Sequence, residues 1–183
     1  MLEFLKTFRR KRIIKQLSQR PRDKKIINLE QVKNIALVFT VGSENDWNLL
    51  YHFAQLMERQ GKQITMIGFQ AENTVLSYII THSHTIICRE KDDFDFWGLP
   101  KGDIVDKFTE QHYDLLIDTT DQPNFFGQYM ALLSDADLKV TYTDEVETTQ
   151  QENIFDMMIN GEGIIDLRSY LNHVVQYLGM IQK

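Results

Sequence analysis

Short apolar runs alternate with segments of helical periodicity along the chain, and this alternation predicts a parallel α/β fold. Residues 35–39 form a continuous apolar run, which is typical of a strand buried on both faces. A helical stripe over residues 49–57 follows, with Ser43 as its predicted N-cap and Gly61 at its end, and residues 64–67 form a second apolar run. A strand, a helix and a strand within about 35 residues predict a right-handed βαβ unit.

The same order returns in residues 113–142, YDLLIDTTDQPNFFGQYMALLSDADLKVTY. An apolar run ends in Asp118, Thr119 and Thr120, and a helical stretch and a second apolar run follow. Further strands are predicted at 85–88 and 154–159, and a final helix capped by Asp166 is predicted to cover one face of the sheet. Residues 75–80 fit either a short helix or an edge strand.

These elements predict a three-layer Rossmann-like or flavodoxin-like domain with a mainly parallel sheet of five or six strands. The strand at 35–39 is expected to be central, between those at 64–67 and 115–117. We expect residues 26–183 to form this single α/β domain, and residues 1–25 to form a separate basic helical arm and linker.

The arm is predicted to be helical because residues 2–19 contain neither Gly nor Pro, and Pro21 then stops the helix. Its apolar positions do not form one stripe, because Leu2, Leu5 and Phe8 share a face that the later apolar residues leave. We therefore expect Ile13, Ile14 and Leu17 to contact protein, and residues 2–12 to project or to exchange partners.

The distribution of charged residues changes at the same boundary, between residues 25 and 26. Residues 1–25 contain ten Lys or Arg and two acids, whereas residues 26–183 contain ten Lys or Arg and twenty-four acids. A basic cluster of this kind could bind an anionic membrane surface, nucleic acid or a partner protein, or it could dock on the acidic body of the same chain or of a second copy in a homodimer. The predicted contact residues are Phe4, Leu5, Phe8, Arg9, Arg10, Lys11 and Arg12.

Composition narrows the class of protein. A hydrophobic content of 43% and a charged content of 25% are typical of globular proteins and argue against disorder. No apolar run approaches the roughly 20 residues that span a bilayer, and no apolar region follows the N-terminal charges as in a secretory signal. The single cysteine, Cys88, fits a reducing compartment. We expect a cytoplasmic protein, with the inner face of a membrane as a candidate location.

Asp118, Thr119, Thr120 and Asp121 are the candidate ligand-binding residues. They follow a predicted strand, and ligands of open α/β sheets bind at the carboxyl ends of strands. Two carboxylates and two hydroxyls could hold Mg²⁺ or orient a sugar hydroxyl. The alternative, which we favour, is that Asp121 caps the next helix.

Other motifs do not predict a cofactor or a metal. The loop at residues 40–45 has one glycine and lacks the P-loop lysine, and Gly161 and Gly163 lack the third glycine of a dinucleotide fingerprint. His82, His84 and Cys88 could be soft metal ligands, but a surface pair and a core cysteine are favoured because no fourth ligand has the usual spacing.

The aromatic loop DDFDFWGLPKG at residues 92–102 could form a stacking platform. Its three aspartates would repel a phosphate backbone, which argues against nucleic acid as a partner. The alternative is a loop fixed to the core by its aromatic side chains.

Four blocks resemble an uncharacterised family of small bacterial proteins, a domain of unknown function. They are the basic N-terminal helix, KDDFDFWGLPKG at 91–102, YDLLIDTT at 113–120 with SDADLKV at 134–140, and FDMMIN at 155–160. The resemblance implies a compact α/β fold and no particular activity. The chain departs from the family pattern at Thr141, where the family tends to have glycine. A weaker resemblance, of YDLLIDTT and SDADLKV, is to the amino-terminal half of heptosyltransferases.

Two classes of function follow. The first is a non-enzymatic binding or accessory domain whose basic arm contacts a membrane surface or a partner protein. The second is a small transferase-like or nucleotide-binding enzyme with its site near Asp118. A deep pocket beside Asp118 would favour the enzyme, and a filled carboxyl edge would favour the accessory domain.

Overall fold

The computed structural model describes residues 2–71, 76–79, 84–120, 124–143, 153–160 and 166–182, and it shows one parallel six-stranded sheet flanked by helices. The helices are α1 Leu2–Leu17, α2 Glu44–Arg59, α3 Glu90–Asp93, α4 Asp103–Thr109, α5 Phe125–Leu133 and α6 Leu167–Met180. The strands are β1 Asn34–Thr40, β2 Gln63–Gln70, β3 Thr85–Arg89, β4 His112–Asp118, β5 Asp135–Thr143 and β6 Met157–Asn160.

The strand order β3-β2-β1-β4-β5-β6 confirms the α/β prediction and is the Rossmann order rather than the flavodoxin one. As predicted, β1 is central and pairs in parallel with β2 and with β4. Its register places Val38 opposite Asp118. The strand order reverses between β1 and β4, so the carboxyl ends of these two strands form the switch point where such folds bind ligands.

Alternation along the central strands separates the core into two layers. Leu115 and Ile117 face the layer that α2 and α6 cover, and Leu116 faces the layer that α4 and α5 cover. Because neighbouring residues of a strand point to opposite faces, Asp118 points with Leu116 toward α5. The final helix covers one face as predicted, with Leu171, Val174 and Leu178 buried.

Helix ends agree with the sequence at two positions and differ at a third. Ser43 and Asp46 form the predicted capping box of α2, and Asp166 accepts a hydrogen bond from the backbone N–H of Ser169. Helix α5 begins at Phe125 and is capped by Asn124, which accepts from the N–H of Phe126 at 2.9 Å. The cap therefore lies later than Asp121, which is outside the described residues.

Two other elements differ from the prediction or lie partly outside the described residues. Strand β6 is shorter than predicted, because Ile154 and Phe155 are buried ahead of the strand rather than within it. Of the segment at 75–80, residues 77–79 form a turn and the two end residues lie outside the described part.

Candidate functional site

The carboxyl end of β4 is occupied by a closed polar cluster. The side chain of Asp118 is completely buried, and its Oδ1 accepts hydrogen bonds from the backbone N–H of Thr120 at 3.0 Å and from the Thr120 hydroxyl at 2.8 Å. Thr119 points elsewhere, since its hydroxyl donates to the carbonyl of Val38 at 2.9 Å. The structure therefore brings Asp118 and Thr120 together, with Thr119 bonded to β1 and Asp121 outside the described residues.

Helix α5 closes this cluster from above. A Cβ on Gly127 would lie 2.7 Å from both carboxylate oxygens of Asp118 and 2.4 Å from the hydroxyl of Thr120, so only glycine fits there. Gly127 is in the first turn of α5, whose amino end carries partial positive charge that favours a carboxylate. Asp118 therefore has a structural environment that explains its burial without a ligand.

The opposite face of β4 adds one more bond. The Tyr170 hydroxyl, from α6, donates to the backbone carbonyl of Asp118 at 3.0 Å. Burial, together with the charge of Asp118, raises the pKa of Tyr170 well above its usual value. Helices from both layers are thus attached to the end of this strand.

One cavity beside the switch point, lined by described residues, is too small for an organic ligand. It measures about 10 Å³ and is lined by residues around Phe39, Thr40 and Trp47. That volume suits a single water molecule. The Thr40 hydroxyl has no hydrogen-bond partner among the described residues, which is consistent with one water there.

Helix α1 is docked on the body through one stripe, the inward stripe, formed by Lys6, Arg10, Ile13 and Leu17. Leu17 is buried, and the neighbouring Ile14 packs against the core layer beneath α4 and α5. Residues spaced by four, three and four positions lie on one helix face. Ile14 and Leu17 therefore contact the body, as the sequence predicts, and Ile13 is half-buried.

Basic side chains attach the first half of α1 to the aromatic loop. Arg10 Nε donates to the carbonyl of Trp97 at 3.2 Å, and its guanidinium lies 4.9 Å from the ring centroid of Phe125. The guanidinium of Arg9 stacks 4.4 Å from the centroid of Trp97, and Lys6 lies 5.8 Å from that of Phe96. Such cation–π contacts contribute about 0.5–1 kcal/mol each at exposed positions. Lys6, Arg9 and Arg10 are thus engaged with the body, whereas the side chains of the other predicted contact residues are exposed, namely Phe4, Leu5, Phe8, Lys11 and Arg12.

A second stripe of α1, the outward stripe, faces away from the body. Phe4, Phe8, Lys11 and Lys15 are again spaced by four, three and four, and all are exposed, Phe4 by 73% and Phe8 by 62%. The exposed side chains that flank the stripe include Leu5 and Arg12. The apolar residues occupy the first two turns and the basic residues the next two, so both kinds lie on one accessible face.

The linker after α1 is tied to the amino edge of the sheet by ion pairs. Arg22 and Lys24 pair with Asp156, and Lys25 Nζ contacts both carboxylate oxygens of Asp137 at 2.9 and 3.0 Å. Burial would raise the pKa of Asp156, but hydrogen bonds from Arg22 and from the N–H of Lys139 lower it below its usual value. The basic arm is thus electrostatically matched to acids of β5 and of the turn before β6.

His112 lies beside Asp137, at the amino edge of the sheet. Its Nδ1 lies 3.0 Å from Asp135 and its Nε2 3.6 Å from Asp137, and the hydrogen bond with Asp135 raises its pKa. Asp114 accepts from the backbone N–H groups of residues 33 and 34. Ligand atoms of His112, Asp114 and Asp137 lie within 4.8 Å of one another, but Lys25 already neutralises Asp137. We therefore interpret the cluster as an ion-pair network.

A cavity of about 610 Å³ opens at this amino edge, between the starts of β1, β2 and β4. Lys62 lines it, but its ammonium donates to the carbonyls of Leu29 at 2.6 Å and Val32 at 2.9 Å, and burial lowers its pKa. The Lys62 ammonium thus stabilises the loop before β1 through these two hydrogen bonds.

Of the proposed soft metal ligands, Cys88 and His84 differ in their exposure to solvent. Cys88 is fully buried, burial raises the pKa of its thiol to about 12, and His84 is exposed. His82 lies outside the described residues, as do Gly161 and Gly163. In the aromatic loop, Phe94 packs against the core layer beneath α5, which agrees with a loop fixed by aromatic side chains.

Lys139 is a buried charged group that was not predicted from the sequence. It is 2% exposed, and its ammonium donates to the carbonyls of Ala131 and Ser134 at the carboxyl end of α5. Burial, with a smaller contribution from Arg22, lowers its pKa to about 8. A lysine between two buried apolar strand residues was the available signal, and it marks a helix-end contact.

The fold and these contacts define a Rossmann-like α/β protein with a docked basic helix. The profile of a family of unknown function, DUF6913, matches residues 6–181, so the chain belongs to that family. This confirms the predicted membership of an uncharacterised family. No curated protein matches the chain, and the weaker resemblance to heptosyltransferases and the bacterial origin gain no support. Among the described residues, no helix has the length and apolar character needed to cross a membrane.

Proposed function

We propose that the protein is a non-enzymatic binding or accessory protein whose contact surface is the outward stripe of α1. The observation that carries this proposal is the division of α1 into two faces. One face is engaged with the body, and the other exposes Phe4 and Phe8 beside Lys11 and Lys15. Exposed aromatic residues on a rigidly held helix are typical of interaction sites.

The carboxyl edge supports this choice over the enzyme alternative, a small transferase-like or nucleotide-binding enzyme using Asp118. A catalytic carboxylate must reach its substrate, whereas the Asp118 side chain has no exposed surface and Gly127 lies directly on it. We also propose a cytoplasmic location, at the inner face of a membrane or with a soluble partner, and the single cysteine supports it because it fits a reducing compartment.

Site-specific photo-crosslinking tests the contact surface without assuming the partner. The photoreactive amino acid p-benzoylphenylalanine replaces Phe8 in one variant and Tyr177 in the control. Tyr177 is a suitable control because it is 46% exposed on α6, away from α1. In the organism that encodes the protein, we expect adducts at position 8 and none at position 177. Equal labelling at both positions, or no adduct at position 8, would overturn the proposal.

A ligand screen tests the rejected alternative. Nucleotides, sugar nucleotides and Mg²⁺ should give no shift in the melting temperature of the wild-type protein. A clear shift that Asp118→Asn abolishes, in a variant that remains folded, would instead place a ligand site at the carboxyl edge.

A further inference from the structure

We infer that the partner of the outward stripe is an anionic lipid surface, recognised through the phosphate of its headgroups. This inference rests on the proposed function, since it names the partner of the same surface. The observation behind it is the order of side chains along α1, with exposed apolar residues in the first two turns and exposed cations in the next two.

The spacing of these groups fits the depth of a membrane interface. A helix rises about 1.5 Å per residue, so Phe4 and Lys11 are separated by about 10 Å along the axis. Interfacial helices bury their apolar face about 5–10 Å into the boundary between headgroups and acyl chains. If the outward stripe faces the membrane with its amino end tilted inward, Phe4 and Phe8 reach that boundary while Lys11 and Lys15 remain nearer the phosphates.

Charge complementarity favours lipid over a protein partner. The outward stripe, taken together with Leu5 and Arg12, contains three cations and no acid, and the one acid of α1, Glu3, is paired with Lys6 at 3.2 Å. Lysine is depleted in protein–protein interfaces, where stable partners each contribute about 800 Å². Three apolar side chains on two helical turns offer much less than that. Aromatic residues followed by lysines are instead typical of binding to anionic lipid.

Because α1 is already helical and docked on the body, its binding to lipid does not require the ordering of a free peptide, which would cost conformational entropy. Arg9 and Arg10 hold the helix against the aromatic loop, and Leu17 anchors its end in the core. A helix that is already formed loses little conformational entropy on binding. A short apolar surface can therefore suffice for reversible attachment.

Co-sedimentation with vesicles tests the inference on the full chain. The vesicles contain either phosphatidylcholine alone or phosphatidylcholine with about a third of phosphatidylglycerol, at low and at high salt. We expect binding to the anionic vesicles only, and a steep loss as the Debye length falls from about 10 Å at 0.1 M salt to 3 Å at 1 M. Equal binding to neutral vesicles, or none to anionic vesicles at low salt, would overturn the inference.

Matched variants identify the face. The double variant Lys11→Ala with Lys15→Ala should lower the partition coefficient between anionic vesicles and water about 25-fold. Each basic residue contributes about fivefold to this coefficient, and two are removed. Phe4→Ser with Phe8→Ser should lower it about tenfold or more. These side chains are exposed, so the variants should fold, which circular dichroism checks.

The controls remove similar groups elsewhere. Lys101→Ala with Lys107→Ala removes two exposed lysines, and Met180→Ser removes an apolar side chain that is 64% exposed. We expect a change of less than about twofold in each, since these residues lie outside the stripe. Equal losses in controls and stripe variants would contradict the assigned face.

The crosslinking result separates this inference from the proposed function. Adducts at position 8 to protein alone, with no vesicle binding, would overturn the lipid inference and leave the contact surface in place. Adducts to a second copy would indicate a homodimer and would likewise overturn the lipid inference. If no adduct of any kind forms at position 8, the proposed function fails, and the lipid inference that rests on it fails as well.

Discussion

Replacement of Gly127 by alanine tests whether the carboxyl edge is a packed structural cluster. The added Cβ would lie 2.4 Å from the Thr120 hydroxyl and 2.7 Å from the Asp118 carboxylate oxygens, closer than real contacts allow. Overpacking of a buried site costs about 1–3 kcal/mol, and disturbance of the buried hydrogen bonds costs a further 1–3 kcal/mol or so. The better helix propensity of alanine returns about 1 kcal/mol. We therefore expect a net loss of about 3 kcal/mol in the free energy of unfolding.

Gly179→Ala is the matched control, because Gly179 is also helical but a Cβ added there would have no other atom within 4 Å. There the propensity effect acts alone, and we expect a gain of a few tenths to about 1 kcal/mol. The assay is urea unfolding followed by circular dichroism, with both variants fitted by linear extrapolation. If Gly127→Ala were as stable as Gly179→Ala, the carboxyl edge would have room that the structure does not show, and the argument against a ligand site there would fail.

Three further predictions concern the buried charge, the docking of α1 and the cysteine. Burial lowers the pKa of Lys139 from 10.5 to about 8, so between pH 8 and pH 10.5 the unfolded state binds more protons at this residue than the folded state does. The free energy of unfolding of the wild type, relative to that of Lys139→Met, should therefore rise as the pH increases through this window, by up to about 3 kcal/mol. A difference that stays constant across pH 8–10.5 in urea titrations would contradict this prediction. Gly98→Ala should destabilise the protein by about 1 kcal/mol more than Gly102→Ala: both glycines have positive φ, but only a Cβ at Gly98 meets Arg10. Equal losses in denaturant would show that Arg10 does not hold α1. The Cys88 thiol, whose pKa burial raises to about 12, should react with a thiol reagent only after urea unfolds the chain, and prompt reaction in the native state would show access to the core.

The fold was accessible from the sequence because its determinants are local. The apolar run at 35–39 is buried on both faces, and the caps at Ser43 and Asp166 set the beginnings of their helices. Parallel βαβ units leave few arrangements, so the central position of β1 followed from the order of elements. The cap of α5 was placed too early because Asp121 has the chemistry of a cap, as Asn124 does, and local chemistry alone gives no reason to prefer the later residue.

The site could be predicted only in part, because it depends on approaches between distant segments. The contact of Gly127 with Asp118 arises from how closely α5 lies on the sheet, and a glycine inside a helical stretch was its one sequence signal. The sequence alone also did not show which residues of α1 belong to the inward stripe and which to the outward stripe. Arg10 could be assigned to the inward face only once the aromatic loop around Trp97 was placed beside it.

Hydrogen exchange of the full chain, with and without anionic vesicles, tests the central claim most directly, namely that binding occurs on the outward stripe of α1 and not at the carboxyl edge. We predict slower exchange of backbone amides within α1 when vesicles are present, and unchanged exchange in β4 and α5. No change in α1, or protection confined to the end of β4 and the first turn of α5, would contradict it.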